Sequence, residues 1–320
     1  MKAIRINEFG GPEVMKLVEV ECPVPKADEI LVKVYASSVN PADYVVRQGG
    51  NELLKPFLKL PLGLGLDAAG EVEEIGSDVT GFKKGEKVFG IPNFLDGTYA
   101  EFIAAKVNQF ALMPRNISFN EAGAIPSCAL MAWNGIDLGK VHAGQRVLVH
   151  AAAGGIGNLA LQFAKSKGAY VIGTVSENNF DFLKQLGADE LIDYTNKDFA
   201  SLLHNIDVVF DASPVRDDEA RMKMATALKE GGIFVSVQIA NPFSDEFLKV
   251  LAKKHAEGKM IRRDLDVAQS LTDIAKLIEE GNVKVVISKV YPLEKVAEAH
   301  LESETKHVRG KIALEIRKEN

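Results

Sequence analysis

The clearest chemical pattern in the chain is a glycine-rich stretch, VLVHAAAGGIG, which runs from Val147 to Gly157. Its spacing matches G-x-G-x-x-G at Ala152, Gly154 and Gly157, between an apolar strand and an amphipathic helix. In such a turn the small first residue permits a tight bend, the second lets the backbone approach a pyrophosphate, and the third lets the helix pack on its strand. The pattern predicts a dinucleotide site, and a glycine-rich turn with no ligand is the alternative.

The end of the next strand indicates which dinucleotide is bound. An NAD site normally presents Asp or Glu there, which accepts hydrogen bonds from the ribose hydroxyls. Here the strand ends at Ser176 and is followed by Glu177, Asn178 and Asn179. The hydroxyl and the amides can donate to a 2′-phosphate, so NADP is favoured over NAD. Glu177 would weaken this preference if it turned inward, and the asparagines could instead cap the next helix.

The part of the chain that carries these residues alternates strands with helices. Strands are predicted at Arg146–Ala152, Tyr170–Ser176, Leu191–Tyr194, Asp207–Ala212 and Gly232–Gln238, with a weaker one at Met260–Val267. Most are continuous apolar runs, which is typical of strands covered on both faces. Apolar residues at helical spacing, from Ile156 to Ala164, separate the first two strands. The series predicts an α/β fold with a doubly wound parallel sheet.

The first 115 residues follow a different pattern. Glu29–Ser38 alternates apolar and polar residues, which predicts a half-buried strand, and glycines recur where tight turns require them. A small antiparallel barrel or sandwich is expected. Ser118 and Glu121 then have capping-box spacing and open an alanine-rich helix. Near the C-terminus, a strand-like Val283–Val290 and a last strand at Lys311–Arg317 could extend the parallel sheet or return to the first domain.

Composition limits the classes of protein that the chain can represent. Its 320 residues suit two domains, and 47% hydrophobic with 26% charged residues is typical of a globular protein. A net charge of −6 gives no basic surface for nucleic acid or an anionic membrane. Two cysteines, Cys22 and Cys128, exclude a disulfide framework and a four-cysteine zinc lobe. Because the first residues are charged and no stretch has the pattern of a membrane span, a cytoplasmic protein is expected.

Four motifs lie in order along the chain. They are Asn40-Pro41-Ala42-Asp43-Tyr44, the stretch LPLGLGLDAAGEVEEIGSDVTGFKKGEKVFG at 60–90, AAAGGIG at 151–157, and His307-Val308-Arg309-Gly310-Lys311. Together they resemble the zinc-independent quinone oxidoreductases, a family of the medium-chain dehydrogenase/reductase superfamily. The resemblance implies a GroES-like, β-rich substrate domain built from residues 1–118 and 268–320 around a Rossmann dinucleotide-binding domain at 119–267. It also implies NADPH as the cofactor and a homodimer.

The chain departs from its zinc-dependent relatives at the metal-ligand positions. In the zinc alcohol dehydrogenases a cysteine stands where this chain has Asn40, a Gly-His-Glu triplet where it has Gly65-Leu66-Asp67, and the third ligand position falls on Ser127. Leucine cannot bind zinc, and asparagine and serine are poor donors compared with thiolate and imidazole. We therefore expect no metal, and Cys128 is expected to be a buried small residue rather than a ligand or nucleophile.

Without a Lewis-acidic metal, the acceptors that take hydride readily are electron-poor, namely quinones and alkenes conjugated to a carbonyl. The protein then needs to stack the acceptor on the nicotinamide and to donate a hydrogen bond to the oxygen that gains charge. Asn40 is the candidate donor to that oxygen, and Tyr44 is a candidate donor or proton relay. Alternatively, Asn40 only initiates a turn with Pro41, and Tyr44 is a packed aromatic. Many quinone oxidoreductases carry their pocket tyrosine one residue later, where this chain has Val45, and this departure concerns the role of Tyr44.

The resemblance implies further contacts with the cofactor. The glycine-rich turn would hold the pyrophosphate, Ser176 the 2′-phosphate, and Tyr194 would lie near the adenosine. The complete set of cofactor-binding candidates is Ser127, Ala153, Gly154, Gly155, Ile156, Ser176, Asn178, Asn179, Tyr194, Ala212, Val237, Ile239 and Lys311. The sequence thus predicts a metal-independent, NADPH-dependent reductase of quinones or α,β-unsaturated carbonyl compounds. The alternative is a dinucleotide-binding structural or regulatory protein with little turnover.

Overall fold

The computed structural model describes residues 1–93, 95–195, 199–213, 217–238, 243–261 and 266–319. The chain forms two compact units. The first comprises Met1–Ser127, Asp266–Glu280 and Val285–Asn320, so that it is built from both ends of the chain. The second comprises Cys128–Leu265 and Gly281–Lys284.

Strands dominate the N-terminal part of the first unit. They are β1 (Lys2–Ile6), β2 (Lys16–Glu19), β3 (Glu29–Val39), β4 (Leu62–Gly63), β5 (Ala68–Ile75), β6 (Lys87–Gly90), β7 (Phe102–Lys106) and β8 (Phe110–Leu112). Helices α1 (Pro41–Arg47) and α2 (Phe119–Ala124) accompany them. The predicted capping box is confirmed, because the Ser118 hydroxyl accepts a hydrogen bond from the N–H of Glu121.

The second unit alternates strands with helices. Its elements are α3 (Pro126–Leu138), whose first two residues belong to the first unit, β9 (Arg146–His150), α4 (Gly155–Ser166), β10 (Tyr170–Thr174), α5 (Phe180–Gln185), β11 (Glu190–Ile192), β12 (Ile206–Asp211), α6 (Asp218–Ala227), β13 (Leu228–Ser236), α7 (Asp245–Ala252) and β14 (Glu257–Met260). The strands are parallel, in the order β11-β10-β9-β12-β13-β14. This is the strand order of a Rossmann sheet, so the predicted α/β class is confirmed.

The C-terminal elements return to the first unit, a point that periodicity leaves open. They are α8 (Val267–Glu279), β15 (Ile287–Pro292), α9 (Val296–Glu304) and β16 (Lys311–Glu315). The larger sheet of this unit has the order β15-β16-β3-β5-β6-β8, with β7 also paired to β3, and a smaller sheet has the order β2-β1-β4. Because Ile312 of β16 lies opposite Val39 of β3, the register brings Lys311 beside Asn40.

Strand β3 is buried on both faces, whereas its alternation predicts a half-buried strand. Lys33 is the one residue along it that is partly exposed. Helix α2 covers the second face, where the Phe119 ring stacks on the Tyr35 ring with centroids 4.3 Å apart. The buried Ser38 hydroxyl donates a 2.5 Å hydrogen bond to the Asp67 carboxylate, so a polar residue of the alternation is satisfied inside the protein.

Apolar packing holds each unit separately. Ile30, Val32 and Val34 of β3 belong to one apolar cluster of the first unit. In the second unit, Leu148 of β9 and Phe234 of β13 lie in a cluster centred on the parallel sheet. No helix among the described residues is both long and apolar enough to cross a bilayer.

Candidate active site

The turn between β9 and α4 has the geometry of an anion-binding helix start. Ala151 adopts a left-handed conformation with a φ of 57°, and Gly154 is the N-cap of α4. The first N–H groups of a helix have no intrahelical partner, and the helix dipole attracts anions to that end. Residues 153–156 are partly exposed, whereas Gly157 is buried. The residues predicted to hold the pyrophosphate are therefore those that a ligand can reach.

The two motif glycines have different steric surroundings. A Cβ on Gly157 would lie 2.3 Å from the carbonyl oxygen of Ala151, so only glycine lets α4 start this close to β9. A Cβ on Gly154 would lie 3.6 Å from the same oxygen, an ordinary contact. The backbone at Gly154 thus borders open space, and the turn fits a pyrophosphate.

Side chains at the carboxyl ends of β9, β10 and β11 form a connected group. His150 Nδ1 and Thr174 Oγ1 are 2.7 Å apart, and burial lowers the pKa of His150. The Tyr194 ring is 46% exposed and meets the His150 ring edge-on, with centroids 6.4 Å apart. The Tyr194 ring is therefore accessible at the carboxyl ends of the parallel strands, where ligands of α/β proteins bind.

Ser176 and the two asparagines share one short turn after β10. Asn179 Nδ2 donates to Ser176 Oγ over 3.0 Å. Asn179 is the N-cap of α5 but makes no side-chain hydrogen bond to that helix. Its amide is thus directed to Ser176 rather than used as a cap, while Asn178 lies between them in the 3-10 turn Glu177–Asn179.

Ala212 and Val237 directly follow β12 and β13, and both are buried. A buried ion pair lies at the ends of these strands, with Arg221 Nε 3.0 Å from Asp211 Oδ2. This pair ties α6 to the end of β12, and no motif in the sequence indicates it. Ile239 lies outside the described residues.

In the first unit, Asn40, Asp67, Ser127 and Lys311 form a cluster that we call the polar quartet. Asn40 Oδ1 accepts a hydrogen bond from Lys311 Nζ at 2.5 Å, and Asn40 Nδ2 donates to Asp67 Oδ2 at 2.9 Å. Ser127 Oγ lies 3.0 Å from Asn40 Oδ1 and 2.9 Å from Asp67 Oδ2, and its N–H donates to Asp67 Oδ1 at 2.6 Å. The structure thus brings three of the predicted site residues together around a carboxylate.

The charged members of the quartet fix the orientation of the Asn40 amide. An ammonium group only donates and a carboxylate only accepts, so the amide oxygen faces Lys311 and the amide nitrogen faces Asp67. The second amide N–H makes a long contact of 3.4 Å with Ser38 Oγ. Asn40 is also the N-cap of α1, so it starts a helix as well as belonging to the cluster.

Tyr44 projects from α1 and is half-buried. Burial and the negative charge of Glu304 raise the pKa of its hydroxyl, so the phenol stays protonated and can donate. The hydroxyl makes no hydrogen bond to any of the residues described here. It therefore has the chemistry expected of a donor or proton relay.

A series of buried polar side chains, joined by hydrogen bonds, contacts the first turn of α1. Asp43 Oδ2 accepts hydrogen bonds from the Asn40 N–H at 2.7 Å and from the Tyr99 hydroxyl at 2.9 Å. Burial raises the pKa of Asp43 to about 7 and raises that of Tyr99 well above its usual value. His300 lies 3.3 Å from the Tyr99 hydroxyl, and burial together with the charge of Arg47 lowers its pKa to about 3. No local sequence pattern indicates Tyr99 or His300 as members of this group.

Asp67 was also missed as the anchor of the quartet, although the sequence carries a signal for it. The residue stands in the apolar run Leu64–Ala69, and a carboxylate inside such a run must be paired because an unpaired buried charge is costly. The sequence does not show which residues pair with it, since they come from distant parts of the chain.

Comparison with known proteins places this arrangement in a superfamily. The family model described as "Alcohol dehydrogenase GroES-like domain" matches residues 26–115, and the one described as "Zinc-binding dehydrogenase" matches residues 186–314. With the Rossmann sheet, these matches define an oxidoreductase of the medium-chain dehydrogenase/reductase superfamily that carries a nicotinamide dinucleotide-binding domain.

Relatives and solved structures narrow this to one family. The quinone oxidoreductase of Sus scrofa is 32% identical over 94% of this chain and 93% of its own, and the 2-methylene-furan-3-one reductase of Solanum lycopersicum is 33% identical over 98% and 79%. The solved quinone oxidoreductase from Coxiella burnetii has a TM-score of 0.90 and 37% identity, with 99% of both chains covered. That of Escherichia coli, complexed with NADPH, has a TM-score of 0.85 and 28% identity, covering 98% of this chain and 100% of that one. The chain belongs to the quinone oxidoreductase family.

The positions that hold zinc in the dehydrogenases do not fit a metal in this chain. Leu66 has no donor atom, and the Lys311 ammonium group approaches the Asn40 oxygen to 2.5 Å, where it would repel a second cation. Within the described part of the chain, no three or more His, Cys, Asp or Glu side chains form a group suited to a metal. Cys128 is buried, which agrees with its expected packing role.

Proposed function

We propose that this enzyme transfers hydride from NADPH to a quinone or to an α,β-unsaturated carbonyl compound, with no metal ion. The observation that carries the proposal is the polar quartet, in which the Asn40 amide contacts an ammonium group, a hydroxyl and the Asp67 carboxylate, and Leu66 precedes that aspartate in the chain. These groups do not supply the Lewis acid that an unactivated carbonyl needs, so an electron-poor acceptor is favoured. The names of the relatives agree, since they include quinone oxidoreductases and a 2-methylene-furan-3-one reductase.

The second unit would hold the cofactor, which supplies the hydride when it is bound. The exposed N–H groups of residues 153–156 would bind the pyrophosphate. Ser176 and the neighbouring asparagines would donate to the 2′-phosphate, and the Tyr194 ring would pack near the adenosine. Ala212 and Val237 would border the cofactor at the ends of their strands. The solved Escherichia coli relative is a complex with NADPH, which supports NADPH over NADH.

The first unit would bind the acceptor. Tyr44 can donate a hydrogen bond or relay a proton, because its raised pKa keeps the phenol protonated. The Asn40 amide is tied to Asp67 and Lys311, so it contributes to the site through a fixed orientation. Ser127 and Lys311 belong to the same quartet, and both were predicted to contact the cofactor.

The test is NADPH oxidation with a panel of quinones and a panel of enones, in the presence of a chelator. We expect turnover with at least one panel, at the same rate with and without the chelator. Activity lost to the chelator, or zinc found by elemental analysis, would contradict the metal-free mechanism. NADPH binding without turnover would contradict the reductase and favour the binding-protein alternative.

The preference for NADPH has its own test at Ser176. Ser176→Ala should weaken NADPH binding roughly tenfold, the effect of one charge-assisted hydrogen bond, and leave NADH binding unchanged. Ser176→Asp should favour NADH, because a carboxylate repels the 2′-phosphate. Ser166→Ala, at the far end of α4, is the matched control. Equal affinities for both dinucleotides in the wild-type enzyme would contradict the assignment.

We further infer that residues 1–118 and 268–320 form the substrate domain, and 119–267 the dinucleotide-binding domain, of a cytoplasmic homodimer. The two compact units support the division. A photoreactive NADPH analogue should label peptides within 119–267. Light scattering should give twice the chain mass of 34.8 kDa, and cell fractionation should recover the protein with the cytosol.

A further inference from the structure

Three cations are buried among the residues that the structure describes, and Lys311 differs from the other two. Arg47 and Arg221 each have a carboxylate oxygen within hydrogen-bond distance, at 2.6 Å and 3.0 Å. Lys311 Nζ lies 3.8 Å from Asp67 Oδ2, which is too far for a hydrogen bond. The charge of Lys311 is therefore the least neutralised of the three.

The hydrogen bonds of Lys311 leave one of its donors unused. Its ammonium group donates to Asn40 Oδ1 at 2.5 Å and to the carbonyl oxygen of Val39 at 3.2 Å. An ammonium group has three N–H donors, so the third has no partner among the described residues. The two bonds hold the ammonium group in place at the first residue of β16.

Asp67 is kept from pairing closely with Lys311 by its other donors. Its carboxylate accepts hydrogen bonds from Ser38 Oγ, Asn40 Nδ2, Ser127 Oγ and the Ser127 N–H, at 2.5 to 2.9 Å. Three of these four contacts are made to Oδ2, the same oxygen that lies 3.8 Å from the Lys311 ammonium group, so closer donors than Lys311 already occupy it. The result is a cation held by neutral oxygens, with a counter-charge nearby but not in contact.

We propose that the Lys311 ammonium group is the catalytic electrophile, which donates a hydrogen bond to the acceptor oxygen that gains negative charge. The proposal rests on the proposed function. A hydride would leave the reduced dinucleotide, where a C–H bond breaks, and would form a C–H bond at the electron-poor β-carbon of an enone. The C=C π pair would then form a double bond between the α-carbon and the carbonyl carbon, and the C=O π pair would move to the carbonyl oxygen. The dinucleotide is oxidised, the acceptor is reduced by two electrons, and a proton from water completes the product. In a quinone the same addition would place the negative charge on one ring oxygen, and transfer of a proton from the attacked ring carbon to the other oxygen would give the hydroquinone anion.

Charge and solvation favour Lys311 over its neighbours for this task. A full positive charge in a largely buried setting interacts with an oxyanion more strongly than a neutral N–H does. The Asn40 amide already donates to Asp67, so it positions the ammonium group rather than replacing it. Tyr44 remains available to relay the proton.

Lys311→Met tests the proposal, because methionine keeps the length of the side chain and removes the charge. We expect kcat with the quinone or enone substrate to fall about 10²- to 10³-fold, the usual effect of losing one oxyanion donor. The Kd for NADPH should change less than threefold. Lys289→Met is the matched control, since Lys289 lies on the neighbouring strand β15 with more than half of its side chain exposed. It should retain wild-type kcat.

A binding measurement separates the proposal from the question of turnover. 4-Nitrophenol is used as the probe, and its ionisation is followed by visible absorbance with the wild-type enzyme and Lys311→Met, each saturated with NADP⁺. The wild-type enzyme should lower the pKa of bound 4-nitrophenol, and the variant should lose that shift. If Lys311→Met does not fold, the double variant Lys311→Met/Asp67→Asn removes both charges and replaces it.

The outcomes are distinguishable. A wild-type enzyme that shifts 4-nitrophenol but reduces neither panel would contradict the proposed function alone. Unchanged kcat and an unchanged 4-nitrophenol shift in the variant would overturn the role of Lys311. A weakened Kd for NADPH with unchanged kcat at saturation would also overturn it, because Lys311 would then serve the cofactor.

Discussion

The Tyr99 hydroxyl donates a 2.9 Å hydrogen bond to Asp43, and both side chains are buried in the first unit. The direction of this bond follows from the groups behind it. Arg47 can only donate, so the His300 Nδ1 that lies 3.0 Å from it is the acceptor. The proton of a neutral His300 is then on Nε2 and faces the Tyr99 oxygen. Each hydrogen bond of this series is therefore donated in the direction from Arg47 to the Asp43 carboxyl group, which accepts the N–H of the α1 N-cap Asn40.

Asp43 should make stability depend on pH. Burial raises its pKa from 3.8 to about 7, so over this range the folded state holds a proton that the unfolded chain releases. Its contribution to stability is complete below pH 3.8 and is lost as the pH rises to about 7. Relative to wild type, Asp43→Asn should gain on the order of 4 kcal/mol across this window, measured by urea unfolding. A difference that does not change with pH would contradict the assignment.

His300 should act in the opposite direction. Burial and the charge of Arg47 lower its pKa from 6.5 to about 3. Between these pH values His300 therefore stays neutral in the folded state, whereas the same histidine of the unfolded chain binds a proton. The contribution of neutral His300 to folding stability is complete above pH 6.5 and is lost as the pH falls to about 3. His300→Gln should therefore gain stability relative to wild type on acidification, by up to about 5 kcal/mol. The same unfolding series with His307→Gln, at an exposed position, is the control for the loss of one histidine.

The glycine-rich turn allows binding and folding to be separated with the same substitution. Gly154→Ala should fold normally and lose dinucleotide affinity at least tenfold, because its new methyl group occupies open space where the pyrophosphate would lie. Gly157→Ala should lose about 2 kcal/mol or more, because its methyl group would press on the Ala151 carbonyl. Thermal unfolding and NADPH titration measure the two effects. Equal stability losses in both variants would contradict the assignment of open space to Gly154 and of close packing to Gly157.

The strands and the glycine-rich turn of the second unit could be predicted from the sequence, because each depends on residues that are close together along the chain. Apolar runs gave the strands, and the glycine spacing identified the turn between β9 and α4. Boundaries were less accurate: the predicted strand Arg146–Ala152 ends at His150, because Ala151 adopts a positive φ. The sixth strand is β14 at Glu257–Met260, which contains few apolar residues, and residues 262–265 of the predicted strand Met260–Val267 lie outside the described residues.

The polar groups of the first unit could be predicted only in part, because their partners are far apart in sequence. Asn40 and Lys311 were identified through motifs, but their contact joins residues 271 positions apart and depends on the pairing of β16 with β3. Arg47 and His300 are separated by 253 positions. No local spacing contains such contacts, and the apolar run around Asp67 shows only that its charge must be paired, not with which residues.

The buried ion pair of the second unit should be much more important for stability than an exposed one. Arg221→Met would leave Asp211 buried without its cation, which should cost about 3–5 kcal/mol of unfolding free energy. Arg221→Met/Asp211→Asn should recover most of this loss, because no uncompensated charge remains. Lys165→Met breaks the ion pair with Asp189, which is more exposed than the pair of Arg221 with Asp211. This loss should cost at most about 1 kcal/mol of unfolding free energy. If the double variant were as unstable as Arg221→Met, the loss would come from packing of the arginine side chain and not from the stranded carboxylate.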